Sequence, residues 1–125
     1  MRRLFVFVFA LVTLVGCSSG SQSLSPTDFQ KLTSESGVIT LDVRTPAEFA
    51  AGHLSNAVNV DVESPDFATQ IGQLDPKASY AVYCRSGNRS KVAMEQMSAA
   101  GFTTTHDLDG GIVAWQAAGL PVTTG

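Results

Sequence analysis

Four short strand-like runs, residues 38–43, 57–60, 79–83 and 104–108, alternate along this chain with stretches that read as helices. Pro26-Thr27-Asp28-Phe29 opens a helix reaching about Glu35, with Thr27 or Ser25 as its cap. Pro46-Ala47-Glu48-Phe49 starts a second, because proline suits the first turn and Thr45 can cap it. Residues 65–74 carry Phe67, Ile71 and Leu74 at helical spacing. Residues 90–100 and 112–118 form two more helices, ended by Gly101 and Gly119. Strands separated by helices cannot pair as hairpins. The alternation therefore predicts an α/β fold, a small, mostly parallel central sheet with helices on both faces. Such a sheet gathers its reactive groups at the carboxyl ends of the strands.

The third strand ends at Cys84, in Tyr80-Ala81-Val82-Tyr83-Cys84-Arg85-Ser86-Gly87-Asn88-Arg89-Ser90-Lys91. A thiolate needs its pKa lowered, and a helix N-terminus with unpaired N–H groups supplies the required positive potential. Gly87 and Asn88 let several N–H groups of residues 85–90 turn toward one point, making a nest for an anionic sulfur or an oxyanion. Cys84 is thus the expected nucleophile, with Arg85, Ser86, Gly87, Asn88, Arg89 and Ser90 the expected substrate-binding cradle. Arg85 and Arg89 can hold a dianionic donor; their plainer role is that of solvated loop charges. Ser90 also reads as the cap of the following helix.

At the N-terminus, Met1-Arg2-Arg3 is a charged segment, residues 4–15 are almost wholly apolar, and Leu14-Val15-Gly16-Cys17 resembles the lipobox of bacterial lipoproteins. About 12 apolar residues span only about 18 Å as a helix, short of the roughly 30 Å hydrocarbon core. The expected organisation is a signal peptide over residues 1–16, a lipidated Cys17 with a flexible tether to residue 26, and one domain over 27–125. That makes the membrane a partner through a lipid anchor. Ser18 after the cysteine, where inner-membrane lipoproteins carry Asp, points to the periplasmic face of the outer membrane, or to the cell membrane of a host with only one. Cleavage would take the eight basic residues to six against eleven acidic ones, for a net charge of −5. Nothing in that balance suggests nucleic acid as a partner. With Cys17 lipidated, Cys84 is the only thiol left and no internal disulfide can form. No Cys/His spacing resembles a metal site, and no cofactor is implied.

Residues 27–125 resemble a single-domain rhodanese. The matching pieces are Leu41-Asp42-Val43-Arg44 with Pro46-Ala47-Glu48-Phe49, Gly52-His53-Leu54 with Asn56-Ala57, Tyr83-Cys84-Arg85-Ser86-Gly87-Asn88-Arg89-Ser90, and Leu108-Asp109-Gly110-Gly111 with Ala114-Trp115. The resemblance implies a sulfurtransferase in which Cys84 takes sulfane sulfur from a donor such as thiosulfate, holds it as a persulfide and passes it to a thiophilic acceptor. Small sulfur-containing anions and a protein thiol are the partners this implies. A non-catalytic binding or sensing module of the same fold is the alternative. Phosphatases of this general architecture place Arg five residues beyond the Cys plus one, where this chain has Ser90, and their wider ring suits a tetrahedral oxyanion.

Supporting roles are expected of Asp42 and Arg44 beside the reactive edge, with Arg44 pairing with Glu48. His53 is expected to bond local backbone, and His106 to lie at the surface or a strand end. Gly110 and Gly111 would form a tight turn at the rim, and Trp115 and Ile112 would pack the last helix onto the sheet.

Overall fold

The computed structural model describes residues 20–125. The expected signal peptide and Cys17 lie outside the described residues. Among the described residues the elements run β1 (Gly20–Leu24), α1 (Pro26–Thr33), β2 (Val38–Asp42), α2 (Pro46–Ala51), β3 (Val58–Asn59), α3 (Phe67–Ile71), β4 (Ser79–Tyr83), α4 (Asn88–Ala99), β5 (Thr104–Leu108) and α5 (Gly111–Ala117). The strands form one sheet in the order β1-β5-β4-β2-β3, parallel at every pairing.

The period of two along β4 divides the core. Tyr80, Val82 and Cys84 face one side, where they meet Phe67 and Ile71 of α3 and Ala93, Met94 and Met97 of α4. Ala81 and Tyr83 face the other, against Phe29 of α1 and Ile112 and Trp115 of α5. Trp115 donates its indole N–H to the Pro121 carbonyl, 2.9 Å away, so its one polar atom is satisfied while the ring packs on Phe29. Apolar side chains on both faces are what make this central strand read as a continuous hydrophobic run.

Local chemistry sets the helix starts. Ser25 rather than Thr27 caps α1, accepting from the Asp28 N–H. Thr45 and Glu48 form a reciprocal capping box on α2. The helices α3 and α4 differ from expectation at their ends. α3 is confined to Phe67–Ile71, and α4 begins at Asn88, two residues early, because Gly87 adopts φ 106° and starts the helix itself.

The first strand departs most from the sequence reading. The tether expected to reach residue 26 is in the sheet from Gly20 onward, with Gly20 to Leu24 in register with Thr104 to Leu108. Ser21, Gln22 and Ser23 are exposed, so no apolar alternation announces this strand. Ladder bonds to β5 hold it, together with the Ser23 hydroxyl, which donates to Asp107.

Candidate active site

Cys84 lies just past the carboxyl end of β4, the middle strand of the sheet, and is 1 % exposed. Its loop is held from outside. The Ile112 N–H donates to the Cys84 carbonyl (2.9 Å) and the Val113 N–H to the Arg85 carbonyl (3.2 Å), so the first turn of α5 takes up the outward-facing carbonyls. The amides on the other side of the loop are left to point inward. The close approach requires glycine at position 111, where φ is 62° and a Cβ would collide with the Arg85 carbonyl.

Inside the loop the Gly87 N–H donates to Sγ at 3.0 Å, and the Ser90 hydroxyl oxygen lies 3.6 Å from the same atom. No side chain caps α4, so the amides of its first turn are available to the sulfur. Burial pushes the Cys84 thiol up. The Ser90 hydroxyl and the N–H groups of Ser90, Gly87 and Ser86 outweigh it, and the thiol pKa falls below its ordinary value. The arrangement can therefore hold an anionic sulfur at the base of a ring of donors.

The six residues expected around the thiol divide by role. Gly87 and Ser90 are buried in the cradle, whereas Arg85, Ser86 and Asn88 are exposed on its outer side. Arg85 also lines an open pocket of about 330 Å³ with Arg44, Glu48, Gly52 and Val113. Arg89 is committed to an ion pair, its two terminal nitrogens donating to the two Glu48 oxygens at 2.7 and 2.9 Å. That bidentate contact, working against partial burial, holds the Glu48 carboxyl down at about 2. Ser90 is not the helix cap. It is the third residue of α4, fully buried, and its hydroxyl reaches Asp107 Oδ2 at 2.9 Å.

Arg44 does not pair with Glu48 as expected; it precedes the cap of α2 and is not on that helix. It folds back instead on Asp42, donating through Nε and Nη2 to both carboxylate oxygens, with Nη2 also 2.7 Å from the Gly52 carbonyl. Both side chains are buried and face Tyr83, whose ring centre lies 5.6 Å from the guanidinium carbon. His53 bonds backbone, with Nδ1 2.8 Å from the Phe49 carbonyl oxygen. His106 lies in β5 itself, and its Nδ1 is buried with no hydrogen-bond partner.

Asp107 escaped the sequence reading. A carboxylate within a strand expected to be covered on both faces was the available signal, and its partners lie on two other elements, Ser23 on β1 and Ser90 and Lys91 on α4.

Residues 25–118 match the family model of the rhodanese-like domain. The chain belongs to the rhodanese-like family. Thiosulfate sulfurtransferase 16, chloroplastic, of Arabidopsis thaliana is 42% identical over 94 residues, which cover 65% of this chain and 76% of that protein. A sulfurtransferase of Allochromatium vinosum is 33% identical over 102 residues, covering 82% of this chain and 90% of that one. The crystal structure of a rhodanese-related protein from Thermoplasma volcanium matches with a TM-score of 0.74 at 31% identity, covering 83% of this chain and 99% of the other. Some curated relatives are longer, and this rhodanese-like chain spans 54% of the length of two of them.

Proposed function

We propose that this rhodanese-like domain is a sulfurtransferase working through a Cys84 persulfide, with thiosulfate or a similar sulfane-sulfur anion as donor. The convergence of three backbone N–H groups and one hydroxyl on Sγ carries this reading. The Cys84 thiolate attacks the outer sulfur of thiosulfate. A new S–S bond forms, the S–S bond of thiosulfate breaks, and its electron pair leaves with sulfite. The negative charge stays on the outer persulfide sulfur, so the same donors serve the enzyme before and after loading. A thiophilic acceptor, cyanide in the assay or a protein thiol in the cell, then removes that sulfur and returns the thiolate.

Phosphate-ester chemistry is disfavoured by the ring itself. Position 90, where that chemistry would need a guanidinium, holds a serine buried against Asp107.

Intact mass of the chain from residue 18 onward tests the cycle. Thiosulfate should add about 32 Da, the mass of one sulfur, and cyanide should remove it. No gain in folded, reduced protein would assign the domain to binding or sensing instead. The location expected from the sequence, a lipid on Cys17 holding the domain at the periplasmic face of the outer membrane, belongs to the same proposal. Cys17→Ser should move the protein from the membrane fraction to the soluble one.

A further inference from the structure

The reaction above uses neither fully buried carboxylate among the described residues; Asp42 is taken up by Arg44, and Asp107 on β5 is left without a role. Three groups reach it. Ser23 of β1 donates to Oδ1, Ser90 of α4 donates to Oδ2 at 2.9 Å, and the Lys91 ammonium lies 3.5 Å from Oδ2. Ser90 in turn stands 3.6 Å from the Cys84 sulfur. The four side chains form a line from the exposed edge strand of the sheet to the reactive atom.

The line turns on a single hydrogen. A serine hydroxyl has one proton to donate and two lone pairs with which to accept. When Cys84 is a thiol, its S–H points at Ser90 Oγ and the Ser90 proton points at Asp107. When Cys84 is a thiolate or persulfide, the sulfur itself needs a donor, and the Ser90 proton can face the sulfur, the Asp107 carboxylate or the Gly87 carbonyl 3.1 Å away, only one of them at a time. Of the two competitors the carboxylate is the nearer and carries the charge. A carboxylate left short of donors in a buried site holds on to every one it has. Ser23 and Lys91 are the donors that remain to Asp107 once Ser90 turns away.

We propose that Asp107 competes with the Cys84 sulfur for the Ser90 hydroxyl proton, and that Ser23, by satisfying Asp107 from the edge strand, releases that proton to the sulfur. Ser90, Asp107 and Ser23 are then positioning residues, and β1 sets the readiness of a nucleophile that it does not touch. The inference rests on the thiolate chemistry proposed above, but not on any particular sulfur donor. Other charged groups near the sulfur are Arg85 in the loop, Arg89 on α4 held by Glu48 of α2, Lys91 on α4, and the Asp42–Arg44 pair at the end of β2. None of these is altered by changing Ser23.

The rate of alkylation of Cys84 by iodoacetamide as a function of pH reads the thiolate directly, in the absence of any sulfur donor. Ser90→Ala should move the midpoint up by roughly one pH unit, the size expected when an anion loses one hydrogen-bond donor. Ser23→Ala should move it up by less, and Ser23→Thr, which keeps the hydroxyl, should restore it. Asp107→Asn should move it down, because the competing acceptor loses its charge and a nearby anion is removed. Ser23→Ala is the deciding variant, since it changes no charge and sits on an exposed edge where folding is least at risk. An unchanged midpoint in Ser23→Ala, or an upward shift in Asp107→Asn, would overturn the proposal. Loss of sulfur loading with these shifts intact would instead count against the sulfurtransferase reading alone.

Discussion

The corner after β2 and the loop after β4 lie side by side at the same edge of the sheet, and both carry arginine, yet they spend it in opposite ways. In the corner, Arg44 is 5 % exposed, and its donors go to Asp42 and the Gly52 carbonyl. In the loop, Arg85 is exposed, Arg89 is half-buried against Glu48, and the backbone amides aim at a single sulfur. The corner is closed, with its charges consumed in fixing the chain. In the reaction proposed above, the loop directs its donors at the charge carried by the sulfur. Residue type does not separate these uses; what separates them is whether a fixed partner is within reach.

The largest expected effect lies at the loop's focus. Cys84→Ala should abolish the mass gain from thiosulfate while leaving the fold intact, and retained loading would remove the loop from the chemistry. In the corner the expected loss is stability instead. Asp42→Ala leaves a buried guanidinium uncompensated and should cost about 3–5 kcal/mol in urea unfolding. A cost near zero would show that the corner is not closed after all.

Arg89 tests the boundary between the two regions. If it helps to hold a dianionic donor, Arg89→Ala should slow sulfur loading roughly tenfold, the equivalent of one charge-assisted hydrogen bond. Unchanged kinetics would place it with the structural charges of the corner. The smallest effect is expected of its partner. Glu48 is held at about 2 by Arg89, so its contribution is complete above the ordinary carboxylate range near 4.5 and is lost as pH falls toward 2. The pair is partly solvent-screened, so Glu48→Gln should cost no more than about 1 kcal/mol at pH 7. That difference from wild type should shrink as pH falls from about 4.5 and vanish only below about 2 in matched urea titrations.

The features legible in the sequence are those with local causes. The continuous apolar run of β4, the capping residues of α1 and α2, and the strand–Cys–loop–helix order all follow from neighbours a few residues apart. The features missed depend on partners far along the chain. Arg89 meets Glu48 across 41 residues, and Ser23 meets Asp107 across 84. β1 has serine, glutamine and serine at its centre and buries almost nothing, so its pairing is written in β5 and not in itself. The Arg44–Glu48 expectation failed because each has another partner, Arg44 the nearby Asp42 and Glu48 the distant Arg89.

The direction of β1 has one more consequence. The chain enters the sheet at Gly20, level with Thr104 and Ser79 at the amino ends of β5 and β4, whereas Cys84 lies beyond the opposite ends. Five residues at about 3.3 Å each put roughly 16 Å of sheet between the two edges. Under the anchoring proposed above, the point of attachment lies toward the amino ends of the strands, opposite the thiol. With a lipid on Cys17 and only Ser18 and Ser19 intervening, the thiol would look away from the bilayer. Its sulfur would then be handed to something in the aqueous space, not to a carrier dissolved in the membrane.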